Sequence, residues 1–243
     1  MQILFKNKLI LVTGGTRGIG KQIAIEFLDL GGNVIVTGTA SEPADDFRHP
    51  NLTYQSVDFQ KRESLNRFIK YLESLERLDV CVNNAGINRI NFIENTLDKD
   101  WDDMQNVNVN APFFITRAVS KIMKKNVYGR IVNIASIFGS VSREKRSIYT
   151  MTKYAIRGLT VSTSIELAKY NVLVNTVSPG FVMTDLTKKN LSESEMKQLE
   201  AQIPIGRLAK PEEIAKVVLF LSSDLNTYLT GQNITVDGGF VNV

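Results

Sequence analysis

Short apolar runs rich in valine and isoleucine recur along the chain and alternate with longer amphipathic segments. Such runs predict buried strands, whereas apolar positions that repeat every three to four residues predict helices. The predicted strands are 8–13, 33–37, 52–57, 79–83, 130–135, 172–177 and 233–236. The predicted helices lie near 18–30, 61–75, 100–125, 148–170 and 211–222. Because parallel strands are usually connected by a helix, this alternation predicts an α/β fold. We expect one domain, 1–243, with a doubly wound, seven-stranded parallel sheet flanked by helices on both faces.

One polar segment interrupts this alternation before the last helix. It spans about 184–205 and includes a helix-favouring run rich in Ser and Glu. We expect a mobile substrate flap, because ligands of open parallel sheets bind beyond the carboxyl ends of the strands. The residues near those ends are small or polar, as a ligand site requires: Thr13, Gly14, Gly38, Asp58, Asn84, Ser136 and Pro179.

The composition excludes several kinds of chemistry. A single histidine, His49, rules out a histidine-based triad and a multi-histidine site, and we predict no metal. The single cysteine, Cys81, lies in an apolar run and is expected to be a buried hydrophobic residue. The reaction must therefore use other groups.

Neither a membrane nor a nucleic acid is expected as a partner. No apolar stretch reaches the roughly 18 residues of a membrane span, and no cleavable signal precedes the first strand, so we expect a cytoplasmic protein. The net charge of +4 comes from Lys and Arg scattered over helix faces, which we interpret as a solvated surface.

A glycine-rich turn, Thr13-Gly-Gly-Thr-Arg-Gly-Ile-Gly20, joins the first strand to the first helix. Glycines permit a tight turn and the close approach of a pyrophosphate, and the helix supplies unpaired N–H groups at the positive end of its dipole. A glycine turn alone is weak evidence. Its place between a strand and a helix at the start of the chain predicts a dinucleotide site.

The end of the second strand indicates which dinucleotide binds. An acid at this position would bind the ribose 2′-hydroxyl of NAD, but this chain has Thr37-Gly38-Thr39-Ala40-Ser41. Without a carboxylate to repel the 2′-phosphate of NADP, these hydroxyls and Arg17 can receive it. The sequence favours NADP(H), with an exposed loop residue as the alternative interpretation of Arg17.

Tyr149 and Lys153 lie four residues apart on a predicted helix and therefore share a face. A nearby ammonium favours the phenolate and moves the tyrosine pKa toward the working range. Tyr149 could then protonate a carbonyl oxygen or deprotonate an alcohol. Such pairs are usually structural, so the interpretation depends on its context.

Ser136 and Asn108 supply that context. Ser136 follows a predicted strand at its ligand-facing end, where its hydroxyl could hold the substrate oxygen beside Tyr149. Asn108 is the middle one of three asparagines in 106–110, a composition that disfavours the predicted helix. A buried amide that organises a backbone or water relay would explain them, although spacing alone does not choose among the three.

These motifs together resemble the short-chain dehydrogenase/reductase family over essentially the whole chain. The quoted marks are Thr13-Gly14-x-x-x-Gly18-x-Gly20, Asn83-Asn84-Ala85-Gly86, Asn108, Ser136 upstream of Tyr149-x-x-x-Lys153, Pro179-Gly180 and Asp237-Gly238-Gly239. Within the family, the chain is most similar to bacterial 3-oxoacyl-[acyl-carrier-protein] reductases.

The resemblance implies a single NADP-binding Rossmann-type domain and a role for each catalytic residue. Tyr149 would be the acid/base, Lys153 would lower its pKa and hold the nicotinamide ribose, Ser136 would orient the substrate oxygen, and Asn108 would anchor a relay water. The expected cofactor contacts are Gly14, Thr16, Arg17, Gly18, Ile19, Gly20, Thr39, Asp58, Phe59, Asn84, Ala85, Gly86, Tyr149, Lys153, Pro179, Gly180, Val182 and Thr184.

The implied function is NADPH-dependent reduction of a ketone, with a 3-oxoacyl thioester as substrate. The sequence departs from the pattern of these reductases at two places. These departures leave an alternative substrate, a keto-sugar or other polar or anionic carbonyl. The loop 143–146, Arg-Glu-Lys-Arg, is basic where such reductases have small neutral residues, and it would bind an anionic substrate, an acidic carrier protein or nothing. The segment Lys169-Tyr170-Asn171 lacks an Arg-Gly pair often found in carrier-protein reductases. A nucleotide-sensing binding module is disfavoured because the catalytic set is complete.

Members of this family commonly form homotetramers, so a tetramer or dimer is expected. The implied interfaces are the helices near 100–125 and 148–170 and the C-terminal strand. The apolar faces 113–115 and 156–161 would serve either that interface or the core.

Overall fold

A computed structural model describes residues 4–44, 47–190 and 192–242 of the chain. Residues 1–3, 45–46 and 243 of the predicted domain, and residue 191 of the predicted flap, lie outside the described residues.

The strands form one parallel sheet in the order β3-β2-β1-β4-β5-β6-β7, as the alternation of strand and helix patterns predicts. Their bounds are β1 (Leu9–Val12), β2 (Asn33–Gly38), β3 (Leu52–Ser56), β4 (Val80–Asn83), β5 (Gly129–Ile134), β6 (Val172–Pro179) and β7 (Asn233–Val236). The strand order reverses between β1 and β4, and the crevice at such a switch point is where open α/β sheets bind ligands.

Helices cover both faces of this sheet, as predicted. Their bounds are α1 (Gly18–Asp29), α2 (Arg62–Glu73), α3 (Asp98–Gln105), α4 (Ala111–Lys125), α5 (Ser147–Leu167), α6 (Asp185–Asn190), α7 (Glu193–Glu200) and α8 (Pro211–Ser222). Helices α1 and α8 pack together on one face, and α2, α4 and α5 pack on the other.

Alternate residues of the central strands enter the two cores. Ile10 and Val12 of β1 join the cluster under α1 and α8, whereas Leu11 joins the cluster under α2 and α4. This period of two explains why the strands read as continuous apolar runs, because both faces are buried. Cys81 is fully buried in the second cluster, and burial raises its thiol pKa, as expected of a structural cysteine.

The helix predicted over 100–125 is divided into three parts. Between α3 and α4, residues Asn106–Asn110 form a π-helical turn. The three asparagines that disfavoured a helix in the sequence all lie in this turn, and such π-bulges occur frequently at functional sites.

The predicted flap carries two short helices, α6 and α7. Ser192 caps α7 in a capping box with Glu195. Leu199 of α7 and Ile203 pack with Leu208 against the partly buried Phe181, Met183 and Phe240. The flap therefore has a small core of its own at the carboxyl end of the sheet.

The two apolar faces predicted for an interface divide between core and surface. Ile115 and Ile156 are buried in the monomer, whereas Phe113 is 46% and Val161 49% exposed. The exposed apolar residues of α5 share one face of the helix, at spacings of three, seven and four residues: Met151, Tyr154, Val161 and Ile165. We call these four residues the α5 stripe.

Candidate active site

The glycine turn lies at the switch point, directly beside the end of β4. Gly14 has a φ of +62°, and a Cβ atom added there would lie 2.9 Å from the Cα of Ala85. A Cβ on Gly20 would lie 2.3 Å from both the Asn84 Nδ2 and the Gly14 carbonyl oxygen. Only glycine fits at these two positions, so the turn stays open toward the ligand side.

Thr13 and Asn84 hold this turn against β4. The Thr13 hydroxyl accepts hydrogen bonds from the backbone N–H groups of Asn84 and Ala85, both at 3.0 Å. The Asn84 amide donates in return to the carbonyls of Thr13 and Gly14, at 2.9 and 3.1 Å. The predicted cofactor residue Asn84 thus shapes the turn through its side chain.

The turn fits the pyrophosphate of a dinucleotide. Arg17 is the N-cap residue of α1, and its side chain makes no capping hydrogen bond. The first N–H groups of α1, at Gly18, Ile19 and Gly20, therefore remain available to an anion at the positive end of the helix dipole.

The hydroxyls after β2 differ in their availability. Thr37 is buried, and its Oγ1 accepts a hydrogen bond from the Gly14 N–H at 3.0 Å, so it supports the turn. Thr39 and Ser41 are exposed, as is Arg17. Thr16 packs on Gly38, where an added Cβ would lie 2.7 Å from its Cγ2. The exposed hydroxyls of Thr39 and Ser41 and the guanidinium of Arg17 can therefore bind a 2′-phosphate.

The other predicted cofactor residues lie along the same edge. Asp58 accepts a hydrogen bond from the Gln60 N–H at 3.1 Å and pairs with Lys61 at 3.5 Å. Phe59 is buried and packs edge-to-face on Phe68, so only its backbone can face a cofactor.

The segment after β6 closes this edge. The Gly180 N–H donates to Val236 at the end of β7. Val182, which is buried, bridges to Ala209, and Thr184 lies next to Gly18, whose added Cβ would be 3.5 Å from the Thr184 Cγ2. The segment Pro179 to Thr184 therefore runs from the sheet back to the glycine turn.

Tyr149 and Ser136 meet where α5 passes the end of β5. Burial raises the pKa of the Tyr149 phenol, and a hydrogen bond with the Ser136 hydroxyl and the charge of Arg146 act in the opposite direction. The Tyr149 ring packs edge-to-face on Phe138 with centroids 6.1 Å apart. The Ser136 oxygen also accepts the Phe138 N–H at 3.2 Å, which fixes its position.

Lys153 is buried beneath Tyr149. Its Nζ lies 5.4 Å from the centroid of the Tyr149 ring and donates to the carbonyl of Ile134 at 3.0 Å. Burial lowers its pKa to about 8. The sequence argument expected this ammonium to lower the Tyr149 pKa. The structure differs because the net shift of the phenol is upward, and the opposing influences come from Ser136 and Arg146.

The side-chain amide of Asn108 is held by hydrogen bonds through both its oxygen and its nitrogen. Its Oδ1 accepts from the Ile87 N–H and its Nδ2 donates to the Ile87 carbonyl, both at 2.9 Å, and Nδ2 also reaches Thr152 Oγ1 at 3.1 Å. Gly86 lies between Asn108 and Lys153, since a Cβ added there would be 3.6 Å from an atom of each. Asn108 is thus the buried one of the three asparagines, and its side chain organises backbone.

Sequence reasoning did not single out Thr152 at this site, and it named Arg146 only as part of the basic loop 143–146. Thr152 donates to the Tyr149 carbonyl at 2.8 Å and links it to Asn108. The Arg146 guanidinium lies 5.6 Å from the centroid of the Phe138 ring. Thr152 and Arg146 each lie three residues from Tyr149 at the start of α5. This i, i+3 spacing is the sequence signal that could have identified them.

The structure also contains a cleft of about 680 Å³, and none of Asn108, Ser136, Tyr149 and Lys153 lines it. It lies between the loop after Ser136, the end of the flap and the C-terminal turn, and its lining is mostly apolar: Val141, Ser142, Ala201, Gln202, Pro204, Phe240 and Val241.

Comparisons with known proteins agree with this geometry. The family model described as "Enoyl-(Acyl carrier protein) reductase" matches residues 14–241. The chain is 40% identical to the 3-oxoacyl-[acyl-carrier-protein] reductase FabG of Aquifex aeolicus over 98% of this chain and 99% of the relative. It is 36% identical to FabG of Vibrio cholerae over 96% and 97%.

Solved structures agree at the level of fold. ElxO with NADP bound matches with a TM-score of 0.89 and 32% identity over 97% of this chain and 99% of that chain. A gluconate 5-dehydrogenase from Burkholderia cenocepacia, in complex with NADP and tartrate, matches with a TM-score of 0.91 and 26% identity over 99% and 97%.

These matches show that the chain belongs to the short-chain dehydrogenase/reductase family, the class that its fold and site define. It is an NADP(H)-dependent oxidoreductase that interconverts a carbonyl group and the corresponding CH–OH alcohol. The predictions of family, fold class and cofactor are confirmed.

Among the residues described, no helix is long and apolar enough to cross a membrane, and no three or more His, Cys, Asp or Glu side chains are grouped to hold a metal ion. The cytoplasmic location and the independence from metals and nucleic acids stay predictions.

Proposed function

We propose that this protein reduces the ketone of a 3-oxoacyl thioester to a secondary alcohol, with Tyr149 as the proton donor. One observation carries the proposal: at the carboxyl end of β5, Ser136 acts on the pKa of the Tyr149 phenol and the Lys153 Nζ lies 5.4 Å from the Tyr149 ring centroid. A donor, an orienting hydroxyl and a cation thus face the edge of the sheet where the glycine turn lies.

Each catalytic residue has a task that its surroundings support. Bound NADPH supplies the hydride. Burial favours the neutral phenol of Tyr149, which can donate its proton to the carbonyl oxygen. Ser136, fixed by the Phe138 N–H, holds that oxygen beside the phenol. Lys153 would hold the nicotinamide ribose when the cofactor is bound, and Asn108 holds the loop at Ile87 against α5.

The proposed cofactor contacts follow the edge described above. The glycine turn and the start of α1 receive the pyrophosphate, whereas Arg17 and Thr39 receive the 2′-phosphate. The remaining contacts come from the ends of β3, β4 and β6, at Asp58, Phe59, Asn84, Ala85, Gly86, Pro179, Gly180, Val182 and Thr184.

The thioester substrate is supported by the curated relatives, which are named as 3-oxoacyl-[acyl-carrier-protein] reductases. The test is NADPH oxidation by the purified protein with acetoacetyl thioesters of N-acetylcysteamine, coenzyme A and acyl carrier protein, with NADH in parallel. We expect turnover of all three with NADPH. Turnover of none of them would overturn the thioester assignment.

A second candidate is a sugar-acid or other polar oxo substrate. It is supported by the similarity to a gluconate 5-dehydrogenase and by Lys169-Tyr170-Asn171, where the expected Arg-Gly pair is missing. Asn171 occupies the left-handed conformation at φ +57° that glycine would favour, so the backbone is kept while the arginine is lost. Turnover of 5-oxogluconate without turnover of thioesters would favour this candidate.

We also propose a homo-oligomer, a tetramer or a dimer. Its support is the α5 stripe, whose exposed apolar side chains lie beside Gly158, which has nothing within 4 Å of an added Cβ. A small residue on an apolar helix face allows a second helix to approach closely, and a self-complementary contact of that kind pairs two copies.

A further inference from the structure

The Arg146 side chain lies beside the proposed proton donor. Arg146 is the residue directly before α5, one turn from Tyr149. Its guanidinium carbon is 5.6 Å from the centroid of Phe138, and the Tyr149 ring contacts the same phenylalanine at 6.1 Å. Phe138 follows Ser136 by two residues, so Arg146 is close to the group that holds the substrate oxygen.

The Arg146 guanidinium has an unused donor. Its Nη1 is shielded from solvent and makes no hydrogen bond with the described residues. Arg130, which is more deeply buried at the opposite end of β5, donates through its Nη atoms to the carbonyls of Gly129, Asn171 and Asn226, although its Nε also makes no hydrogen bond with the described residues. A desolvated donor on a cation is costly when it is unpaired, so its retention suggests a ligand.

No carboxylate of the described residues pairs with Arg146. The charges that act on it are those of Tyr149 and of a second cation, Arg143, which together with burial lowers the Arg146 pKa. Arg143 is exposed and lies 5.9 Å from the Phe181 ring, at the base of the flap. Arg146, near Phe138, and Arg143, near Phe181, are thus two cations that pair with no carboxylate of the described residues.

We propose that Arg146 is a specificity residue that binds the carboxylate of an oxo-acid substrate, with Arg143 strengthening the positive field around it. A carboxylate matches the planar donors of a guanidinium and would satisfy the unpaired Nη1. The inference rests on the proposed ketone reduction at Tyr149. It favours the second candidate, an oxo acid with a carboxylate near the reacting carbonyl, over the 3-oxoacyl thioester, which has no carboxylate there.

The test measures carboxylate binding directly, with malonate as the probe and the NADP-loaded protein. We expect malonate to raise the melting temperature of the native enzyme, whereas uncharged malonamide and chloride at equal ionic strength do not. In Arg146→Met the dissociation constant for malonate should rise by about tenfold or more, the order expected for one lost charge-assisted contact. Arg146→Lys should keep part of the affinity.

Lys145→Met is the matched control, since it removes an equal charge from the neighbouring residue, whose Nζ lies over Phe92 instead. It should leave malonate binding unchanged. Unchanged NADPH affinity in Arg146→Met shows that the variant is folded. The inference is overturned when malonate has no effect beyond that of chloride, or binds Arg146→Met as tightly as the native enzyme.

Kinetics separate this inference from the function on which it rests. Malonate should compete with acetoacetyl thioester in the native enzyme and not in Arg146→Met. An enzyme that binds malonate through Arg146 but reduces no thioester contradicts the thioester proposal alone. If Arg146→Met loses turnover but keeps malonate binding, Arg146 acts on the proton donor Tyr149 and the carboxylate subsite is overturned.

Discussion

At Tyr149, burial and hydrogen bonding act on the same proton in opposite directions, and burial is the larger influence. Tyr149→Phe removes that proton while the ring can still pack on Phe138. We expect turnover to fall by about 10²–10⁴-fold, the contribution of a positioned general acid, with NADPH affinity nearly unchanged. Initial rates and a fluorescence titration with NADPH measure the two quantities. Retained turnover would remove Tyr149 from its assigned role.

The burial of the Lys153 ammonium lowers the stability of the protein but places this cation in the active site. Its pKa falls from 10.5 to about 8 in the fold, so the charged form is disfavoured there. Below about pH 8 the folded and unfolded chains both carry the proton, and the full cost applies. As the pH rises from about 8 to about 10.5, the unfolded chain binds more protons than the folded one, and stability increases.

Lys153→Met should therefore raise the melting temperature at about pH 7 while abolishing turnover, and the gain should shrink toward about pH 10.5. Thermal unfolding across this pH range measures it. Lys125→Met, on the exposed face of α4, is the control and should show no such pH dependence. A loss of stability at neutral pH would mean that the bond from Lys153 to the Ile134 carbonyl outweighs the burial of the charge.

The choice of dinucleotide is a property of single exposed residues. Thr39→Asp places a carboxylate where the 2′-phosphate is expected, and the two anions repel each other. We expect the ratio of kcat/KM for NADPH to that for NADH to fall by about tenfold or more, equivalent to at least about 1.4 kcal/mol. Thr39→Ser keeps the hydroxyl and should retain the preference. An unchanged ratio in Thr39→Asp would place the phosphate elsewhere.

At the scale of elements, the π-helical turn ties α4 to α5 and to the loop after β4. Its central residue, Asn108, makes three hydrogen bonds with Ile87 and Thr152. Asn108→Ala leaves buried backbone groups unpaired and should lower the free energy of unfolding by about 1–3 kcal/mol. Asn110→Ala loses only a bond to Asn106 and should change it by less than about 0.5 kcal/mol. Urea unfolding compares the two, and equal losses would contradict the role of Asn108.

At the scale of the whole molecule, the α5 stripe should decide the assembly state. Ile165 is 76% exposed in the monomer, and Ile165→Glu would place a charge in the proposed contact between copies. We expect this variant to sediment as a smaller species than the native protein, and Arg67→Glu on the exposed side of α2 to sediment like the native one. Analytical ultracentrifugation measures both. A native protein that sediments as a monomer would contradict the homo-oligomer.

The sequence by itself determined the sheet, the helices around it and the positions of the glycine turn, Ser136 and the Tyr149–Lys153 pair. These features depend on residues close together in the chain, through period, turn chemistry and helix spacing. The family resemblance extended this to NADP(H) and to the class of reaction.

Only the tertiary structure decided how these groups influence one another. It turned the Asn108 amide toward Ile87, engaged Thr37 with the glycine turn, and placed Arg146 rather than Lys153 among the groups that lower the Tyr149 pKa. Burial and charge separation set these effects, and both depend on how α5, β5 and the loop after β4 pack together. Apart from Arg146 and Tyr149, which are three residues apart, the contacting residues are far apart in the chain, so no local pattern encodes that packing.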